Sequence, residues 1–162
     1  FNYLYKEVFP EPEGLLTKFP KVPGVDGRKM SKSYDNAIYL SDAPEIVEKK
    51  ILTMMTDPAR KRRTDKGDPE KSPVHQLHRI FSSKEEIEYT DAGCRTASIG
   101  CIDCKKILIK NVFQYLEPIW KRRNELINNP DLLFDIAKKG SEKAKLAAEE
   151  TMQLVREAMG LT

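Results

Sequence analysis

Long apolar runs are missing from this chain of 162 residues. The longest, such as Ile107 to Ile109, fall far short of the roughly 20 residues that a helix needs to cross a bilayer, which excludes a membrane-spanning helix. Cysteine is scarce: three residues, an odd number, all between Cys94 and Cys104, which argues against a disulfide framework and fits a reduced compartment. Histidine is limited to His75 and His78, beside Leu77 and Phe81, a pattern of packing or surface residues, and neither is assigned a catalytic role. No secretion signal opens the chain, because Glu7, Glu11 and Glu13 interrupt the first stretch and no apolar run follows a basic end. The compartment expected is the cytoplasm. Charge of one sign is in small excess: the net value is +3, so a nucleic-acid partner has to be argued from where the charge sits. What is present is 40% hydrophobic and 33% charged residues, enough for a core under a heavily solvated surface, and wholesale disorder is excluded. The length suits one ordinary domain, or a small domain with an attached segment. The chain starts at Phe1, without methionine, in what reads as the end of a helix, and so reads as a fragment.

Up to residue 41 the chain is punctuated by Pro10, Pro12, Gly14, Pro20, Pro23, Gly24 and Gly27 and shows no helical period. It reads as loop with at most one short strand. Asp42 with Glu45 then forms a capping-box pattern, Pro44 suits a first turn, and Val47, Ile51, Met54 and Met55 recur at helical spacing, predicting a helix over 43–56. Asp57-Pro58 ends it, and the charged stretch to Pro73 reads as a long exposed loop. Val74, Leu77, His78 and Phe81 mark a short amphipathic helix, and Ser83 with Glu86 opens another. Ile109, Phe113, Leu116 and Trp120 mark a helix running to about Ile127. Asn129-Pro130-Asp131 starts a last one, whose face from Leu133 through Ile136, Ala144 and Leu154 continues to a stop at Gly160. Phe113, Trp120, Phe134, Met54 and Met55 are expected in the core. The fold class is mainly α, a helical bundle.

One stretch carries chemistry: Gly24-Val25-Asp26-Gly27-Arg28-Lys29-Met30-Ser31-Lys32-Ser33. Two lysines three apart, flanked by hydroxyls on a loop with Pro23, Gly24 and Gly27 as hinges, can close over a polyphosphate and neutralise charge on a departing group. Lys29-Met30-Ser31-Lys32-Ser33 matches the second signature of class I aminoacyl-tRNA synthetases. The flanking stretches from Pro20 to Arg28 and from Tyr34 to Ile38, then Asp57 to Glu70, Pro73-Val74-His75 and Gly100 to Lys106, resemble the bacterial tryptophanyl-tRNA synthetases in order and spacing. The resemblance implies a tryptophan-tRNA ligase that uses ATP with Mg2+, tryptophan and tRNA(Trp) and is a cytoplasmic homodimer when complete. Lys29 and Lys32 would be catalytic, and Lys29, Met30, Ser31, Lys32 and Ser33 would meet the ATP. It further implies that residues 1–41 are the loop-rich remnant of a Rossmann-type α/β catalytic domain and that 42–162 form a helical anticodon-binding domain. The family's first signature and tryptophan pocket have no counterpart here, so this piece alone is expected to be inactive.

Arg60, Lys61, Arg62 and Arg63 put four positive charges in a row. By composition they suit a solvated loop balanced by Asp57, Asp65, Asp68 and Glu70; the resemblance turns them into tRNA contacts. Positive charge at Lys121, Arg122 and Arg123 reads as a solvated helix end. Cys94, Cys101 and Cys104 have the density of a metal site, and some members of the family bind a four-iron cluster through a comparable run plus an upstream cysteine. Here Ser72 stands near that fourth position. A zinc site completed by His75 or His78 is the other metal reading, and three thiols without metal is the reading favoured. Two further functions compete with the ligase: a stand-alone tRNA-binding module using the basic loop, and a redox or metal protein built on the cysteines.

Overall fold

The computed structural model describes residues 1–161. Five helices account for most of it: α1 (Pro44–Thr53), α2 (Pro73–Phe81), α3 (Lys84–Thr96), α4 (Cys101–Ile127) and α5 (Pro130–Met159). Among the described residues there is no strand, only an isolated antiparallel bridge between Pro23 and Lys29. The mainly α expectation therefore holds. The chain divides into two compact units, one of Leu16–Arg122 and one of Phe1–Leu15 with Arg123–Thr162.

Local signals explain most helix ends. Ser83 Oγ accepts from the Glu86 amide and Glu86 reaches back to the Ser83 amide, so the capping box expected for α3 forms. Asn129 caps α5 by accepting from Leu132 N, Pro130 occupies the first turn, and Gly160 closes the helix at a positive φ of 70°. The expected box at Asp42 does not form. Ala43 is the cap of α1, because the Asp42 carboxylate accepts instead from Tyr39 N at 2.9 Å and Lys50 Nζ at 2.7 Å.

In the 16–122 unit the core is built from Val47, Ile51 and Met54 of α1 and the residue after it, Val74 and Leu77 of α2, and Leu108, Ile109, Val112 and Leu116 of α4, with Phe113 and Trp120 packed at its edge. Spacings of three and four place each set on one helical face. Two expected core residues are outside it: Met55 is 42% exposed and Phe134 is 76% exposed. Leu133, Ile136 and Leu154 of α5 are exposed as well, and Val155 is its buried residue. Leu108 has no exposed surface, so Leu108→Ala should cost about 3 kcal/mol through lost burial and a residual cavity. Urea unfolding checks this, with Ile46→Ala on the exposed side of α1 expected to cost under about 0.5 kcal/mol.

Candidate functional site

The Lys29–Ser33 stretch sits in a loop that the backbone alone does not hold. Gly24 N donates to Arg28 O at 2.7 Å and Met30 N to Val22 O at 2.8 Å, giving a narrow hairpin-like neck. Its lock is Asn36, 2% exposed. The Asn36 Oδ1 accepts from Ser31 N at 2.8 Å, while Nδ2 donates to Asp26 Oδ1 at 2.7 Å and to Lys29 O at 3.2 Å. Its main-chain oxygen accepts from Val25 N at 3.0 Å. One buried amide thus fixes the backbone on both sides of Met30 and the carboxylate of the turn before it. That bond is the main reason the Asp26 carboxyl is held below its ordinary pKa.

The glycines act differently from simple hinges. A Cβ on Gly24 would collide with the Asn36 side chain, so glycine there permits the close approach that seats the lock. Gly27 has φ +81°, which an L side chain resists. Beyond the neck, Lys32–Tyr34 make a single 3-10 turn ended by Asp35 in the left-handed region. Arg28 is paired with Asp26 at 2.7 Å and lies 4.4 Å from the centre of the Tyr34 ring. Lys29, Lys32 and Ser33 are exposed, Met30 and Ser31 half-buried, and the Ser31 and Ser33 hydroxyls are 3.1 Å apart. The structure brings all five residues into one short clamped segment with two ammonium groups at the surface, an arrangement suited to polyphosphate. Asn36 falls within the Tyr34 to Ile38 stretch that carries the resemblance, but nothing in that pattern marks it as the lock.

The loop is also tied to the helices. Met55 N donates to Val25 O at 2.9 Å. Just before it, the buried Lys105 ammonium of α4 donates to Leu52 O at 2.7 Å and Met54 O at 2.6 Å, meeting the carbonyls at the end of α1 where a cation is favoured. Burial lowers the Lys105 pKa.

The basic loop is more closely knit than the exposed loop its composition suggests. Asp57 is buried and closes it, accepting from Ala59 N at 2.9 Å and Asp68 N at 2.7 Å. Lys61, Arg62 and Arg63 are exposed and, with the half-buried Arg60 and Thr56, line a cleft of about 470 Å³ against Gly100–Asp103 at the start of α4. Arg63 lies 3.9 Å from Asp103. Arg60 differs from its three neighbours, since its guanidinium turns inward and donates to Ile99 O at 2.7 Å and Arg63 O at 3.0 Å.

Cys94, Cys101 and Cys104 line one small cavity, and Ser72 lines it with them, together with Arg60 and His75. The cavity leaves about 20 Å³, room for about one water. The cysteines are unbridged, and burial pushes the Cys104 thiol up to about 12 and raises Cys94. The histidines have partners both inside and outside this cluster: His75 Nε2 is 3.4 Å from Asp91, His78 Nδ1 is 2.7 Å from Ser82 Oγ, and His78 Nε2 is 3.2 Å from Cys104 O and 3.4 Å from Cys104 Sγ. Among the described residues no group of three or more His, Cys, Asp or Glu is placed to hold a metal ion. As arranged, these residues do not fit an iron-sulfur cluster or zinc.

Burial lowers the His78 pKa to about 4 from an ordinary 6.5. The folded state refuses a proton that the unfolded chain accepts, so this contribution is whole above pH 6.5 and lost as pH falls towards 4, by about 3 kcal/mol. Urea unfolding at pH 7 and pH 4.5 should show the loss, and His78→Gln should shrink it.

Comparisons with known proteins bear on this geometry. The family model described as class I tRNA synthetases (W and Y) matches residues 1–117. The chain is 52% identical over 162 residues to the tryptophan-tRNA ligase of Thermotoga maritima, covering 99% of this chain and 49% of that one. It is 47% identical to that of Aquifex aeolicus, covering 99% of this chain and 41% of that one. Among solved structures, tryptophanyl-tRNA synthetase of Campylobacter jejuni complexed with ADP and tryptophan superposes with a TM-score of 0.79 at 28% identity, over 99% of this chain and 50% of that one. The chain thus spans about half the length of the relatives it matches.

Proposed function

The chain belongs to the class I tRNA synthetases of the tryptophan and tyrosine type, and on that premise we propose that it is the part of a tryptophan-tRNA ligase that handles ATP phosphates and the tRNA. Such a ligase first joins amino acid to nucleotide: a tryptophan carboxylate oxygen attacks the α-phosphorus of ATP, the bond from that phosphorus to the bridging oxygen breaks, and pyrophosphate leaves with the electron pair. Negative charge grows on the departing oxygens. Lys29 and Lys32 meet it with ammonium groups, Ser31 and Ser33 offer hydroxyl donors, and the ATP enters with Mg2+ on its phosphates. Met30, between the two lysines, meets the ATP with them in this reading.

The observation that carries this reading is the Asn36 lock, because electrostatic help is worth most when the donors are held in place before the charge appears. In the same reading residues 1–41 end a catalytic domain and 42–162 form the anticodon-recognising region, where Lys61, Arg62 and Arg63 meet tRNA(Trp) phosphates. The complete ligase is a cytoplasmic homodimer. The test is charging with labelled tryptophan by the ligase that carries this segment. Label on tRNA(Trp) and none on tRNA(Tyr) is expected; binding of tRNA(Trp) with no charging would instead make the chain an RNA-binding module.

A further inference from the structure

The four consecutive basic residues of the 57–68 loop, Arg60 to Arg63, divide into a half-buried one whose guanidinium turns inward and three exposed ones. Asp57 closes the neck of this loop, and Gly67 N donates to Cys94 O at 3.0 Å, so the loop lies against the end of α3. A Cβ on Gly67 would fall 2.7 Å from Cys94 Sγ and 3.2 Å from Arg60 Cδ, which shows how tightly the Arg60 stem is enclosed. At its tip, Nη2 joins Ile99 O, in the segment leading into α4, to Arg63 O, in the loop itself, at 2.7 and 3.0 Å. Nη1 lies 3.9 Å from Cys94 Sγ, and the buried Nε has no partner. Burying a donor without an acceptor is costly, so this placement has to be offset by what the guanidinium fixes. What it fixes is the distance between the loop and the start of α4, the two walls of the basic cleft.

We infer that Arg60 is a positioning residue: it braces the cleft wall so that Lys61, Arg62 and Arg63 meet RNA phosphates, and it contacts no phosphate itself. This rests on the RNA-binding reading above and divides it residue by residue. A lysine at this position keeps the charge but lacks the planar fork whose one nitrogen serves two carbonyls while its neighbour faces the thiol. A phosphate ligand and a brace therefore respond differently to Arg60→Lys.

The experiment is fluorescence titration of the chain with a tRNA(Trp) transcript at several salt concentrations, for the wild type, Arg60→Lys, Arg60→Ala, Arg62→Ala and Arg63→Ala. Loss of a phosphate contact lowers the slope of log affinity against log salt by about 1, as expected for Arg62→Ala and Arg63→Ala. Arg60→Lys should weaken binding about tenfold with the slope unchanged, a factor that corresponds to one misplaced contact. Wild-type affinity in Arg60→Lys, or a slope lowered by about 1 in Arg60→Ala, would overturn the assignment. If Arg62→Ala and Arg63→Ala both bind as the wild type, the RNA reading fails, and amide hydrogen exchange then judges the brace. Exchange at Arg62 and Asp68 should quicken at least tenfold in Arg60→Lys with an unchanged unfolding midpoint, and unchanged exchange would dispose of it.

Discussion

Replacing Lys32 by alanine in the ligase that carries this segment is expected to slow adenylate formation by about 10²–10³-fold while leaving tryptophan affinity unchanged. The size follows from what the ammonium does. Charge on the leaving pyrophosphate exists in the transition state and hardly at all in the bound amino acid, so its loss raises the barrier by about 3–4 kcal/mol without weakening the ground state. Arg28, next to Lys29 in sequence, is already paired with Asp26 and lies against Tyr34, so it is poorly placed to substitute. Single-turnover quench measurements separate the rate constant from the binding step. A rate constant within a factor of about 3 of the wild type would remove Lys32 from the chemistry, since one such donor is worth far more.

Asn36→Ala should be nearly as damaging, although Asn36 touches no substrate. Its amide satisfies Ser31 N, Asp26 and Lys29 O at once, in a site 2% exposed. Removing it leaves Ser31 N and Lys29 O without this partner and Asp26 with its bonds to Arg28 alone, so the neck of the loop loses its hold. The loop then samples other conformations, and the lysines lose their fixed placement. The expected signature is a 10–100-fold fall in the rate of adenylate formation with unchanged tryptophan affinity, because misplaced catalytic groups lose rate rather than ground-state binding. Gly24→Ala should reproduce it by another route, since its Cβ would press on the Asn36 side chain. Wild-type rates in both variants, read by the same quench method, would show that the lock is ornamental to the chemistry.

These two residues also show where sequence reading reaches and where it stops. Lys32 is legible because five adjacent residues form a compact pattern. Asn36 stands in a stretch that resembles the family, but its role as a lock is not legible, since its partners are gathered by a turn that the sequence does not announce. The two capping boxes differ in the same way: Glu86 reaches the Ser83 amide although Asn111 Nδ2 also donates to its carboxylate, whereas the Asp42 carboxylate is taken by Tyr39 N and by Lys50 from the last turn of α1. Phe134 fails as a core residue because helical spacing identifies a face but not whether anything covers it. The run from Arg60 to Arg63 reads as four equal charges, and only the packing of Gly67 against Cys94 and Arg60 reveals that one faces inward. The cysteine spacing did carry spatial information, for Ser72 and all three thiols share a cavity. Its small volume, about 20 Å³, leaves room for about one water and not for an iron-sulfur cluster.

The central claim is that a clamped pair of lysines assists pyrophosphate departure in tryptophan activation, and ATP–pyrophosphate exchange measures that step directly. Exchange by the wild-type ligase should require tryptophan, should not respond to tyrosine, and should nearly vanish in Lys32→Ala. Exchange that needs no amino acid, that tyrosine drives equally well, or that survives in Lys32→Ala would contradict the account.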